Sequence, residues 1–171
     1  MKNVRILTLC LILSCHVWAA DGDLLSPSEA ADSMVVPEGF TVTLVAGEPD
    51  VKQPVGLCVD DRGRLWVAEA YSYPKHTDEA ASDRILIFED TDGDGKFDVR
   101  KVFYDKLNYV SGVEVGFGGV WVMSPPYFYF IPDEDGDDVP DSEPKLILDG
   151  FGNHANSHNI ANGFALSLIH I

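Results

Sequence analysis

Several stretches of the chain alternate apolar and polar residues with a period of two, the pattern of half-buried strands. Phe40-Thr41-Val42-Thr43-Leu44-Val45-Ala46 shows it first and predicts a strand. Pro54-Val55-Gly56-Leu57-Cys58-Val59-Asp60 follows as a short apolar strand, and Asp61-Arg62-Gly63-Arg64 as a turn. Leu65-Trp66-Val67-Ala68-Glu69-Ala70 reads as the next strand, leading into a loop with Tyr71, Tyr73, Pro74 and His76. Arg84–Phe88 and Val99–Tyr104 are two more, separated by an Asp/Gly-rich stretch.

The same order then recurs. Val110–Val115 matches the Pro54 strand, Gly118-Gly119 the turn, and Val120-Trp121-Val122-Met123 the Leu65 strand, with Trp66 and Trp121 in one place. Tyr127–Ile131, a second Asp-rich stretch and Lys145–Leu148 complete the unit. A period of roughly 45–55 residues with four strands each is the signature of a β-propeller blade. The expected fold is therefore all-β: a β-propeller of four-stranded blades, here a fragment of about two blades plus the start of a third at Phe151–Phe164. Ile85–Phe88 and Tyr127–Ile131 are apolar on both faces, which fits sheets stacked against neighbours on each side. Trp66, Trp121 and Cys58 read as packing residues. Two blades do not close a ring of four to eight, so open edges prone to aggregation are expected.

The two Asp-rich stretches carry the candidate chemistry. Asp90-Thr91-Asp92-Gly93-Asp94-Gly95-Lys96-Phe97-Asp98 sets four carboxylates at relative positions 1, 3, 5 and 9, with Gly95 at position 6. Asp133-Glu134-Asp135-Gly136-Asp137-Asp138-Val139-Pro140-Asp141 repeats the spacing, with Asp138 where the glycine was. A hard cation takes six to eight oxygens at about 2.3–2.6 Å. Alternate residues of a tight loop can aim three carboxylates at one point. The backbone carbonyls of Lys96 and Val139 at position 7, and the carboxylates of Asp98 and Asp141, can complete the set. Position 12 is Lys101 in one copy and Pro144 in the other, and strands rather than helices flank both. These are thus not EF-hands, whose loop ends in a bidentate Glu, but calcium loops set between strands. The expected ligands are Asp90, Asp92, Asp94, Lys96 and Asp98 in the first, and Asp133, Asp135, Asp137, Val139 and Asp141 in the second. Solvated acidic turns without a metal are the plain alternative.

Composition narrows the partners. The chain has 171 residues with 28 acidic against 12 basic, a formal charge of −16. That balance argues against nucleic acid, whose phosphates need Lys and Arg. Residues 1–19 read as a secretory signal: Lys2 and Arg5 precede an apolar run from Ile6 to Leu13, and Val17-Trp18-Ala19 offers a cleavage site. Its removal moves the charge from −16 to −18. Ile12-Leu13-Ser14-Cys15 also resembles a lipoprotein box, with Cys15 lipidated, as an alternative to plain secretion. The expected location is secreted or periplasmic. Residues 20–35 read as an exposed leader and 36–165 as the partial propeller. Cys58 alone survives cleavage, so no internal disulfide is expected; calcium would serve as the staple instead.

Gly63-Arg64-Leu65-Trp66-Val67-Ala68-Glu69-Ala70-Tyr71-Ser72-Tyr73-Pro74 resembles the N-terminal β-propeller of the membrane-bound dehydrogenase family abundant in planctomycetes and verrucomicrobia. So do Ile85–Asp98 and Gly112–Val122, and the likeness runs from about Pro37 to Phe164. The resemblance implies a six-bladed propeller similar to the soluble quinoprotein glucose/sorbosone dehydrogenases. It implies an exported oxidoreductase acting on a sugar or other alcohol, with pyrroloquinoline quinone (PQQ) as cofactor. In such enzymes a His near the axis takes the hydroxyl proton, and His158 is similarly placed; a polar loop residue is the alternative. Imidazole suits that task because its pKa lies near neutrality. Family members often add a haem domain with a Cys-x-x-Cys-His site; this chain has none, so no haem is expected. His154 and His158 lie four apart in a Gly/Asn-rich stretch with no Glu between, which argues against a helical zinc pair. Leu166–Ile171 departs from the family and reads as a non-native or truncated tail. Membrane association would come only through a lipid anchor or downstream domains. The competing readings are a non-catalytic calcium-dependent binding or adhesion propeller, like the integrin-type calcium repeats, and a truncated product that does not fold.

Overall fold

The computed structural model describes residues 24–74, 82–152 and 160–165. Almost all of its regular structure is β. One short helix, α1 (Pro27–Asp32), is exposed and closed at its start by a Ser26/Glu29 capping box. Eight strands follow: β1 (Pro54–Val59), β2 (Leu65–Glu69), β3 (Asp83–Glu89), β4 (Val99–Leu107), β5 (Gly112–Val115), β6 (Gly119–Ser124), β7 (Tyr127–Pro132) and β8 (Lys145–Leu148). They form two four-stranded antiparallel sheets, β1-β2-β3-β4 and β5-β6-β7-β8, each in sequence order. Short connections between antiparallel neighbours make this the simplest wiring.

The strand registers repeat between the sheets. Gly56, Leu57, Cys58 and Val59 face Ala68, Val67, Trp66 and Leu65; Gly112, Val113, Glu114 and Val115 face Met123, Val122, Trp121 and Val120. Gly56 therefore corresponds to Gly112, and Trp66 to Trp121.

The core lies between the sheets. From the first sheet it takes Cys58, Trp66, Ala68, Ile85, Ile87 and Phe103; from the second it takes Val113, Val120, Val122 and Ile131. Trp66 is buried edge-on against Phe103, with ring centroids 5.1 Å apart. Because side chains alternate across a strand, Val67, Leu86 and Phe88 point the other way and are covered by Ala46, Val51, Leu65 and Phe97. The apolar run Ile85–Phe88 is thus sandwiched. Trp121 is half-buried on the outer face of the second sheet, stacked on Phe128 and tilted against Phe130. Phe151 and Phe164 close on Phe128 from outside. Cys58 is a buried free thiol, as a small core hydrophobe should be; burial, helped by Glu114, raises its pKa to about 12.

One expectation fails. Phe40–Ala46 belongs to neither sheet, and Phe40, Val42 and Leu44 are exposed at 71%, 36% and 41%. Alternation specifies a face, but a strand also needs a neighbour to take its backbone hydrogen bonds. β4 also runs to Leu107, three residues beyond the expected end. No helix among the described residues is long and apolar enough to cross a membrane.

Candidate functional site

The first Asp loop links β3 to β4, and the second links β7 to β8, the same place in each sheet. Each is closed by a backbone bond from position 9 to the end of the preceding strand: Asp98 N–H to Glu89 O at 3.0 Å, and Asp141 N–H to Pro132 O at 2.9 Å. Positions 4 and 6 take left-handed φ in both loops. They are Gly93 (+77°) and Gly95 (+85°) in the first, Gly136 (+69°) and Asp138 (+69°) in the second. Glycine adopts that region without a Cβ penalty, and Asp is among the few side chains that tolerate it.

This winding turns the odd-numbered carboxylates inward. Oxygens of Asp90, Asp92 and Asp94 lie within 4.8 Å of one another, as do those of Asp133, Asp135 and Asp137. The carboxylates also hold the loop shape. Asp90 accepts from Gly93 N–H at 2.7 Å and Gly95 N–H at 2.8 Å, and the Gly95 bond first of all holds its pKa below the usual range. Asp94 accepts from Lys96 N–H, and Asp137 from Val139 N–H, each at 2.8 Å. Asp133 accepts from Asp137 N–H at 3.1 Å. Burial pushes the Asp133 carboxyl up, and the charges of Asp137 and Asp138 push it the same way. A divalent cation would relieve that crowding.

Position 9 behaves differently. Asp98 accepts from the Thr91 hydroxyl at 2.6 Å and from Thr91 N–H at 3.0 Å, and the hydroxyl bond leads in lowering its pKa. Asp141 accepts from Glu134 N–H at 2.7 Å. Both tie position 9 to position 2 and stand outside the convergent groups. Lys96 and Val139 are exposed, as residues offering only a carbonyl can be.

Asp138 has a role that spacing does not reveal. Its carboxylate leaves the loop and meets Arg64 Nη1 at 2.7 Å, Lys101 Nζ at 2.5 Å and Arg62 Nη2 at 3.4 Å on the first sheet. Arg64 is held in turn by Asp60, 2.8 Å from its Nε. Asp60 also accepts from Trp66 Nε1 at 2.9 Å. The available signal was the gathering of scarce cations, Arg62, Arg64 and Lys101, in an acidic chain.

At the opposite end of the sheets, the buried Asp83 carboxylate accepts from Ser72 N–H and Ser72 Oγ at 2.7 Å and from Val110 N–H at 2.8 Å. It pins the turn after β2 to the link between the sheets. Glu69 pairs with Arg84, which also donates to Tyr71 Oη at 2.6 Å. Tyr73 borders a cleft of about 290 Å³ with Val55, Tyr109, Val110, Ser111, Ile160 and Asn162. Among the described residues its lining holds no Lys or Arg, the side chains that would pair with a carboxylated quinone. His76, His154 and His158, the signal segment and the tail after residue 165 lie outside the described residues.

No curated protein and no solved structure matches the chain. A family described as a domain of unknown function (DUF7133) matches residues 26–169, a span that takes in both sheets and both Asp loops. The chain belongs to that family.

Proposed function

We infer that the chain is an exported calcium-binding β-propeller segment, each sheet being one blade and each Asp loop holding one Ca2+. The observation that carries the reading is the convergence of three carboxylates within 4.8 Å at the same place in two sheets. Asp90, Asp92 and Asp94, and Asp133, Asp135 and Asp137, supply hard oxygen donors of the kind Ca2+ prefers. Lys96 and Val139 add their carbonyls, and Asp98 and Asp141 join once the ion competes with their position-2 bonds. The bound ion neutralises charge and stiffens the hairpin.

The blade assignment draws support from a repeated close approach at the inner strands. A Cβ on Gly56 would lie 3.2 Å from Gly112 Cα, and one on Gly112 would lie 3.0 Å from Asn162 O. Ser111 Oγ donates to Ala161 O at 2.7 Å. β1, β5 and residues 160–164 thus follow one another by similar steps, as the inner strands of successive blades would. Calorimetric titration of the chain with Ca2+ tests the function. A stoichiometry near two is expected, falling to near one in Asp94→Asn and in Asp137→Asn. Absence of binding sinks the reading.

A second reading is an oxidoreductase of the quinoprotein type acting on a sugar or alcohol. It rests on the resemblance of the Gly63–Pro74, Ile85–Asp98 and Gly112–Val122 segments. Dye reduction with quinone and sugars, lost in His158→Gln, is its test; equal rates in both proteins leave the calcium-loaded binding propeller.

A further inference from the structure

The two sheets meet most closely at their inner strands, where a Cβ on Gly56 would crowd Gly112, and draw apart toward β4 and β7. There they leave a cleft of about 310 Å³. Tyr104 and Lys106 of β4 line one side, and Tyr127 and Tyr129 of β7, with Glu143 just before β8, line the other. Both walls thus belong to the two described sheets, and three of the six tyrosines of the chain gather between them. Side chains alternate across β7, so Tyr127, Tyr129 and Ile131 share the face toward the first sheet. Ile131 is fully buried there, Tyr129 is half-buried and Tyr127 is 38% exposed. The inter-sheet core therefore runs out into the cleft and ends in phenols.

The lining is held in place. The Tyr127 and Tyr129 rings sit 5.7 Å apart, tilted by 50°. Tyr104 Oη donates to Glu143 Oε2 at 3.2 Å. Burial first, and Glu143 next, push that phenol up to about 12, so it stays protonated at neutral pH. Ser124 Oγ donates to Asn108 O and ties the second sheet to the end of β4. The lining also mixes apolar ring surface with both signs of polarity. A phenol has an apolar body and a polar tip; Glu143 accepts, Lys106 donates, and hydroxyls do both. A cationic ligand would be opposed by Lys106. An anionic one would be opposed by Glu143 and by the chain charge of −16. A purely apolar one would strip water from both charges without replacing it.

We propose that this cleft binds a neutral saccharide, one pyranose ring lying with its C–H face against Tyr127 and Tyr129 and its hydroxyls toward Glu143 and Lys106. Such a ring is the ligand that carries an apolar face together with a rim of groups that both donate and accept. The volume stands at the small end of ligand pockets, which suits one ring. The site shares no residue with either Asp loop or with the Tyr73 cleft, so it depends on neither the calcium nor the quinone reading. An open cleft covers the ring on one side, so a Kd of about 1 mM is expected.

Saturation-transfer difference NMR of the full chain in calcium-containing buffer is the test, with methyl β-glucoside, methyl α-mannoside and methyl β-galactoside as probes. At least one is expected to take up saturation at its ring C–H protons and to titrate with a Kd of about 1 mM. Tyr127→Ala should weaken binding about tenfold and Glu143→Gln about threefold, each with an unchanged far-ultraviolet spectrum. Tyr73→Ala, in the other cleft, should leave binding as it is. If Tyr127→Ala loses its strand spectrum, the response of Glu143→Gln decides. Saturation of none of the three probes overturns the proposal and leaves the phenols as a cap on the core. Binding indifferent to Tyr127→Ala and Glu143→Gln overturns it too, as does binding lost in Tyr73→Ala, which would place the sugar in the Tyr73 cleft. Glucosamine or galacturonate bound more tightly than every neutral glycoside overturns the neutral class. A chain that takes no saccharide but still binds two Ca2+ would leave the calcium reading intact.

Discussion

Asp138 of the second Asp loop and Arg64 of the β1–β2 turn, 74 residues apart, form a 2.7 Å ion pair in which both side chains are buried. Asp138 stands where the first loop has Gly95, at the same left-handed φ. Nothing lies within 4 Å of a Cβ built on Gly95. At Asp138 the side chain finds cations of the other sheet instead. Asp138 in place of glycine is therefore a clamp between the sheets, and the second acidic loop and the interface share one residue.

Asp138→Asn should destabilise the chain by about 1.5–3 kcal/mol, the usual worth of a hydrogen bond to a charged group. Asn tolerates the left-handed conformation, so the loss reports the carboxylate and not the turn. Arg64 keeps Asp60 as a partner, which holds the cost below that of a fully orphaned buried charge. Urea denaturation measures it, and an unchanged midpoint would mean the clamp is energetically idle.

Acid should act through the same residue. Burial alone would raise the Asp138 pKa, but hydrogen bonds from Lys101 and Arg64 outweigh it and hold the pKa below the ordinary carboxylate value. A carboxyl depressed on folding favours the folded state above its unfolded pKa, near 4, and gives up that stability as the pH falls through the lowered value. Asp133, raised by burial and by neighbouring charge, works in the opposite sense and offsets part of the loss. Followed by tryptophan fluorescence with calcium chelated, the wild type should lose stability below about pH 4, and Asp138→Asn should lose less over that range. Equal losses would assign acid sensitivity elsewhere.

Calcium should raise the melting temperature. A ligand present at a hundred times its Kd stabilises the form that binds it by about 2.7 kcal/mol per site. Chelation should reverse the gain, and Asp94→Asn should abolish about half of it. Calorimetric melting with and without calcium reads this directly; no shift would leave the loops as solvated turns.

Asp83→Ala removes the acceptor of three buried donors, Ser72 N–H, Ser72 Oγ and Val110 N–H. Buried donors without partners are costly, so a loss of about 3 kcal/mol or more is expected in urea. Exchange of the Val110 amide should quicken. Protection unchanged at Val110 would show that the node is not what holds the inter-sheet link.

Gly112→Ala would bring a Cβ to 3.0 Å from Asn162 O and 3.1 Å from Phe164 Cε1. Overpacking of this kind costs about 1–3 kcal/mol. Thermal melting should fall accordingly, while calcium stoichiometry, set at the far end of the sheets, should not change. A neutral effect would mean that residues 160–164 are easily displaced from β5.

The sequence determined most of the strands and both loops. The short apolar run of β1, runs apolar on both faces in β3 and β7, and the Asp/Gly spacing at 90–98 and 133–141 are local signals. They name a backbone conformation and the faces of a strand without reference to distant residues. Phe40–Ala46 shows the limit of such signals: it alternates apolar and polar, yet has no strand partner among the described residues to complete its hydrogen bonds. Only the tertiary structure decided which face of each strand meets which partner. It set Trp66 into the inter-sheet core while leaving its counterpart Trp121 half-buried on the outer face. It also turned Asp138 away from its own loop, because Arg64 and Lys101 reach it only once the second sheet has packed on the first. Ion pairs across such a separation have no period or spacing in the chain, so packing, and not pattern, places them.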